Sequence, residues 1–136
     1  MVKKQIIKSD YDRARVVEES IISEAQANGF SDVDVFAIRL ALEEALVNAI
    51  RHGNRLDPHK KVTVEWCVRN KELEITIEDE GKGFLPNAVP DPTQDENLER
   101  PGGRGLMLMK AYMDCVEYNK QGNIVRMCKK LHCCGK

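Results

Sequence analysis

Three polar side chains share one face of the most apolar segment of the chain, residues 40–54. The segment reads LALEEALVNAIRHGN, and at 3.6 residues per turn Glu44, Asn48 and Arg51 recur at positions i, i+4 and i+7 of a helix. A carboxylate and an amide are costly to bury unless each finds a partner. That partner is either another part of the chain or a ligand, and the segment alone leaves both interpretations open.

Two glycine-rich turns could complete a ligand site with this helix. The sequence DEGKG at 79–83 follows a predicted strand, where Asp79 could accept a hydrogen bond from an exocyclic amine and the glycines allow close approach. The sequence PGGRG at 101–105 precedes a predicted helix, where exposed amides form an anion site. Each motif alone is also explained by a simple turn. Neither is a dinucleotide fingerprint or a Walker A sequence.

The elements that must position these motifs follow from apolar periodicity and capping residues. In order they are a possible edge strand at 1–8, helices at 11–27 and 31–53, strands at 62–69 and 73–78, a helix at 105–113, and strands at 115–119 and 124–131. Asp10 and Ser31 are the expected N-caps. This order predicts an α+β fold, a two-layer sandwich with three helices on one face of a mostly antiparallel sheet.

The segment at 84–103 lacks any periodicity and contains four prolines. A structureless loop of this length in a compact domain is usually functional or disordered. The segment is therefore the expected lid of a binding site.

Composition limits the classes of function. The 136 residues predict a single domain spanning 1–136, and the 22 acidic and 21 basic residues nearly cancel, which argues against a nucleic-acid partner. No apolar run approaches about 18 residues and no signal peptide is evident, so we expect a soluble, cytoplasmic protein without a membrane partner. The odd number of cysteines, five, predicts reduced thiols rather than a disulfide framework.

The motifs in this order resemble the Bergerat-type ATP-binding family. That family includes gyrase-type topoisomerases, sensor histidine kinases and bacterial anti-sigma-factor serine kinases. The stretches EALVNAIRHG and NLERPGGRGL look most like the first motif, the lid end and the second glycine motif of the anti-sigma-factor kinases. The resemblance covers roughly residues 10–131.

The resemblance implies ATP and Mg²⁺ as cofactors and gives a role to each matched residue. Asn48 would offer its amide oxygen to Mg²⁺, and Glu44 would act as general base. Asp79 would recognise the adenine amino group, and Arg100 would stabilise charge on the γ-phosphate. The other residues expected to bind the nucleotide are Arg51, Gly81, Gly83, Gly103, Arg104, Gly105 and Leu106. The sequence departs from the family at one place, because Gly122-Asn123 opens the last strand where many relatives carry Gly-Thr.

The implied activity is transfer of the γ-phosphoryl group to a serine or threonine of a protein antagonist of the anti-anti-sigma type. A sigma factor would be the second partner, and a homodimer is possible. Two alternatives remain, a nucleotide-gated protein-binding module without catalysis and an ATPase that uses water as acceptor. The retained Glu44 disfavours the first, and steady phosphate release without a partner would favour the second.

Two further groups are given structural interpretations. His52 is expected to cap the helix end more often than to touch phosphate. Cys128, His132, Cys133 and Cys134 lack the two separated CxxC-type pairs of a zinc site.

Overall fold

Five antiparallel strands form one sheet in the order β1-β2-β3-β5-β4. The computed structural model describes residues 2–81 and 106–131. The strands are β1 (Lys3–Lys8), β2 (Lys61–Arg69), β3 (Glu72–Glu78), β4 (Cys115–Tyr118) and β5 (Ile124–Lys130). The helices are α1 (Tyr11–Ala27), α2 (Asp32–Val47) and α3 (Leu106–Tyr112), and a π-helical segment, Asn48–Gly53, continues α2. The predicted α+β architecture is confirmed.

The helix starts follow the predicted capping residues. The side chain of Asp10 accepts a hydrogen bond from the backbone N–H of Asp12 at 2.8 Å, and Ser31 Oγ accepts one from the N–H of Asp34 at 3.1 Å. Each satisfies one of the amides that a helix N-terminus leaves without a partner inside the helix. Helix α1 is followed by Gly29 in the left-handed region, with φ of 92°.

The core lies between the helices and one face of the sheet. Alternate residues of β2 and β3 point into it because successive side chains of a strand face opposite ways. Fully buried members from the sheet and the helices include Ile21, Ile38, Leu42, Val62, Val64, Leu73 and Ile75. The predicted edge strand is confirmed, since β1 pairs with β2 at the margin of the sheet.

The β2–β3 hairpin turns through two residues in the left-handed region. Asn70 has φ of 54° and Lys71 has φ of 62°. Positive φ at both central residues is the geometry of a type I′ turn, whose twist matches that of the flanking strands. Asparagine tolerates this conformation, whereas lysine pays a steric penalty that glycine would avoid.

One expectation about the cysteines is wrong. Cys115 and Cys128 lie directly opposite each other on β4 and β5 and are joined by a disulfide, with their Cα atoms 5.2 Å apart. The register of the strand pair brings them together, and this register is not visible in the spacing of the cysteines along the sequence. Cys67 is a free, buried thiol.

Several sequence predictions lie outside the described residues. These are the lid at 84–103, the candidate residues Gly83, Arg100, Gly103, Arg104 and Gly105, and the terminal residues His132, Cys133 and Cys134. Among the helices in the described ranges, none has the length and apolar character needed to span a membrane.

Candidate functional site

A pocket lies between the C-terminal part of α2 and the sheet. Its floor is a row of side chains across three neighbouring strands, because Val125 of β5 pairs with Ile77 of β3 on one side and with Tyr118 of β4 on the other. The opposite wall is one face of α2 and its π-helical continuation, and a polar end closes the pocket. The wall residues are Ala45, Asn48, Ala49 and His52, and the end is formed by Gly53, Asp79, Gly122 and Asn123.

The helix leaves room for a ligand because small residues face the sheet. Ala45 and Ala49 are buried one turn apart on the pocket side. The π-helical segment then widens the last turn, with the N–H of Asn54 donating to the carbonyl of Ala49 at 2.8 Å, five residues back. Such widened turns recur at functional sites. Here the widened turn brings Gly53 against the end of β3.

Asp79 is the charged group among the described residues that line the pocket. It is 8% exposed, and its Oδ1 accepts the N–H of Gly81 at 2.8 Å. Burial raises the pKa of Asp79 to about 6, the hydrogen bond from Gly81 opposes the rise, and the charge of Glu78 adds to it. A carboxylate held in an apolar pocket is a directed acceptor for an N–H donor such as the amino group of a purine.

Two glycines are required by the packing around this carboxylate. A Cβ added to Gly53 would lie 2.3 Å from Cγ of Asp79, and one added to Gly81 would lie 2.0 Å from the carbonyl oxygen of Gly53. Contacts this short force the neighbouring atoms to move. The glycines of the π-helical segment and of the turn after β3 therefore interlock around Asp79.

Asn48 presents an unsatisfied polar group to the same pocket. It is 6% exposed, and its Nδ2 has no partner with hydrogen-bond geometry among the described residues. Its carboxamide lies beside the hydroxyl of Tyr118. Burial raises the pKa of Tyr118 to about 12, while the Asn48 side chain opposes the rise and the charges of Asp79 and Glu44 add to it. A buried polar atom without a partner at a pocket wall is the expected sign of a ligand-binding group.

Asn54, directly after the π-helical segment, forms hydrogen bonds to three segments beside the polar end of the pocket. It is fully buried, and its Nδ2 donates to Ser9 Oγ and to the carbonyl of Lys61, both at 2.9 Å. Its Oδ1 accepts the N–H of Glu80 at 2.7 Å. One side chain thus joins the end of β1, the start of β2 and the turn that contains Asp79 and Gly81.

The structure brings some predicted site residues together and separates others. Asn48 and Asp79 line the pocket, and Gly81 packs against Asp79 and Gly53 beside it. Glu44 lies one turn before Asn48 and is half-buried, and Arg51 is exposed; neither is among the pocket-lining residues that the structure describes. Leu106 begins α3.

Other pocket residues were not assigned a ligand role from the sequence. His52, interpreted as a helix cap, lines the pocket at i+4 from Asn48, a spacing that could have indicated it. Tyr118 could not be found by spacing, because the pairing of β4 with β5 places it on the pocket floor.

Comparison with known proteins identifies the family of the chain. The family model of the histidine kinase-like ATPase domain matches residues 7–129. An anti-sigma F factor of Oceanobacillus iheyensis is 37% identical over 100 residues, which are 69% of this chain and 68% of that protein. A serine-protein kinase RsbW of Listeria monocytogenes is 30% identical over 115 residues, 79% of this chain and 73% of that protein.

A solved structure shares the fold. It contains the RsbU and RsbW domains of a Mycobacterium tuberculosis protein and superposes with a TM-score of 0.66 at 16% identity. The match covers 96% of this chain and 32% of the solved one, so this chain spans about a third of that protein. Family model, relatives and fold agree, and the chain belongs to the histidine kinase-like ATPase domain family, which binds ATP.

Proposed function

We propose that this chain is a Mg-ATP-dependent serine/threonine protein kinase of the anti-sigma-factor type. The observation that carries the proposal is the convergence on one pocket of an ATPase-family fold of a buried carboxylate, Asp79, and a buried carboxamide, Asn48, whose Nδ2 is unsatisfied. The names of relatives, anti-sigma F factor and serine-protein kinase RsbW, support protein phosphorylation and sigma-factor binding. The antagonist carrying the target hydroxyl, the cytoplasmic location and a homodimeric state are part of the same proposal.

The adenine ring is proposed to lie between the helix wall and the apolar floor of the pocket. Asp79 would accept the hydrogen bond of the amino group, and Ala45 and Ala49 leave space for a flat ring. Gly53 and Gly81 hold the carboxylate in place from both sides. In this arrangement the base would be recognised at the polar end of the pocket, and the phosphates would lie toward Asn48 and the N-terminus of α3.

The residues present fit a magnesium ion carried by the nucleotide. A buried carboxamide with one unsatisfied end can rotate to direct its oxygen outward, and amide oxygens suit a hard cation. When bound, Mg²⁺ would neutralise part of the charge on the ATP phosphates. Asn48 would contribute one oxygen ligand to it.

Glu44 is proposed to take the proton of the attacking hydroxyl. It lies one turn before Asn48 on the same helix, half-buried, and near enough for its charge to raise the pKa of Tyr118. Positioning and charge stabilisation supply most of the rate in phosphoryl transfer, so a base, a metal ligand and an arginine suffice. Arg100, Gly103, Arg104 and Gly105 are proposed to complete the phosphate site, together with Gly83 at the base and Arg51 at the helix end.

The proposal is tested by comparing Glu44→Gln with a matched control, Glu43→Gln, at the preceding position of α2. Glu43 is exposed and packs beside Glu18 of α1, so its replacement removes the same charge away from the pocket. We expect Glu44→Gln to abolish phosphoryl transfer to the antagonist protein while sparing ATP affinity, and Glu43→Gln to retain both. Normal transfer by Glu44→Gln would remove the base assignment. Steady phosphate release without any protein acceptor would instead favour an ATPase.

A further inference from the structure

A chain of side-chain amides connects the β4–β5 turn to Asp79. Asn119, the residue after β4, accepts three backbone N–H groups on its Oδ1, from Gly122 at 2.8 Å, Asn123 at 3.0 Å and Ile124 at 3.1 Å. Its Nδ2 donates to Oδ1 of Asn123 at 2.9 Å. The Nδ2 of Asn123 then donates to the backbone carbonyl of Asp79 at 3.2 Å. The two side-chain hydrogen bonds, from Asn119 to Asn123 and from Asn123 to the carbonyl of Asp79, are called the amide relay. The relay ends at the residue proposed to recognise the base.

The orientation of both amides is fixed by chemistry. Three N–H donors can point only at an acceptor, so Asn119 must direct its oxygen into the turn and its nitrogen outward. The Asn119 nitrogen in turn requires the oxygen of Asn123, which leaves the nitrogen of Asn123 facing the carbonyl of Asp79. Rotating either amide would place two donors or two acceptors against each other. The relay therefore has one hydrogen-bonding arrangement.

The same junction is closed by a backbone hydrogen bond. The N–H of Asp79 donates to the carbonyl of Asn123 at 2.9 Å, immediately after the last register pair of β3 with β5, Glu78 opposite Ile124. Both the N–H and the carbonyl of Asp79 are therefore held by Asn123, the residue before β5, while the carboxylate of Asp79 lies at the pocket. A side chain that served only to cap the β4–β5 turn would need the three N–H bonds of Asn119 but not its link to Asn123.

We propose that Asn119 and Asn123 are positioning residues. They hold Asp79 where its carboxylate can accept the hydrogen bond of the purine amino group, and so they determine how strongly the pocket prefers a purine that carries this group. The inference rests on the proposed function, since it assumes that an adenine nucleotide occupies the pocket. Asn119 acts through Asn123, and neither residue takes part in phosphoryl transfer.

The test uses a variant that keeps the turn and breaks the relay. Asn119→Asp retains an oxygen for the three N–H groups but loses the donor to Asn123, whose amide must then rotate and set its oxygen against the carbonyl of Asp79. Gln121→Glu is the matched control, because it adds the same charge at an exposed position of the same turn. Asn123→Ala is the second variant, which removes the last link and leaves the cap of the turn in place.

The readout is the ratio of dissociation constants for ATP and for purine riboside triphosphate, which lacks the amino group. One hydrogen bond to a charged acceptor corresponds to a preference for ATP of about tenfold or more. We expect this preference in the wild type and in Gln121→Glu, and a fall to below about threefold in Asn119→Asp and Asn123→Ala. Loss of affinity for both nucleotides alike is what a merely structural role would give, and the ratio would then not move.

The outcomes separate this inference from the proposed function. A wild type that binds ATP with the expected preference, together with an unchanged ratio in variants that retain its melting temperature, overturns the inference and leaves the function standing. Failure of both variants to fold also overturns it, because the relay would then be structural. A wild type that binds neither nucleotide overturns the proposed function itself, and the inference with it.

Discussion

Replacing Asp79 with asparagine should stabilise the protein at neutral pH while removing its proposed contact with the base. Burial raises the pKa of this carboxyl from 3.8 to about 6. Above pH 6 the group is ionised in both the folded and the unfolded state, and its charge is held less favourably in the folded one. The side chain introduced by Asp79→Asn would keep an oxygen for the N–H of Gly81 without carrying a charge.

The size of the effect follows from linkage between protonation and folding. A rise from 3.8 to about 6 corresponds to roughly 3 kcal/mol, at about 1.36 kcal/mol for each pH unit. Because the carboxylate borders a pocket open to water, solvent screening reduces the expected gain in unfolding free energy to about 1–2 kcal/mol. The sign is set by the raised pKa. The favourable contribution of neutral Asp79 is complete below pH 3.8 and is lost as pH rises through about 6.

Urea denaturation at pH 7.5, 6.0 and 4.5 measures the difference between the wild type and Asp79→Asn. We expect the variant to be more stable at pH 7.5, with the advantage shrinking as pH falls. Asp57→Asn is the control, since Asp57 likewise accepts a backbone N–H, from His59 at 2.9 Å, but lies in a surface turn away from the pocket. A variant at position 79 that is less stable at pH 7.5, or whose difference does not depend on pH, would refute the reasoning.

Three further substitutions test other parts of the structure by urea denaturation. Lys71→Gly should raise the unfolding free energy by about 0.5–1 kcal/mol, because it relieves a left-handed lysine in the hairpin turn, and a loss of stability would contradict that geometry. Asn54→Ala should lower the unfolding free energy by about 3 kcal/mol or more, since three partners lose their hydrogen bonds. A cost below about 1 kcal/mol would contradict the role given to the Asn54 side chain. Cys115→Ser should lower the unfolding free energy by about 2–3 kcal/mol under oxidising conditions, because the disulfide closes a loop with a sequence separation of 13. Reduction should destabilise the wild type but not this variant. Equal stability of wild type and Cys115→Ser without reductant would contradict the disulfide.

The fold could be predicted because its signals are local. The alternation in β2 and β3 has a period of two, and the caps at Asp10 and Ser31 mark helix starts within a few residues. Those signals depend only on neighbours along the chain. The order of elements then permits few packings of helices on an antiparallel sheet.

The site could be predicted only in part. Asn48 and Asp79 stand in motifs whose spacing is visible in the sequence, and both lie at the pocket. The sequence did not predict the contacts that Tyr118, Asn119 and Asn123 make in and beside the pocket. Their positions depend on the pairing of β3 with β5 and of β4 with β5. Strand pairing joins residues far apart in the chain, and no local pattern encodes it uniquely. The disulfide expectation failed for the same reason.

Titration of the protein with ATP, first with Mg²⁺ and then with the metal chelated, tests the central claim most directly. Calorimetry on the wild type and on Asn48→Ala gives the affinity in each condition. The account predicts saturable binding that is tighter with Mg²⁺ in the wild type, and a loss of that metal-dependent gain in Asn48→Ala. Absence of ATP binding both with Mg²⁺ and with the metal chelated would contradict the claim that this pocket is a nucleotide site. An unchanged metal dependence in Asn48→Ala would contradict the role given to that residue.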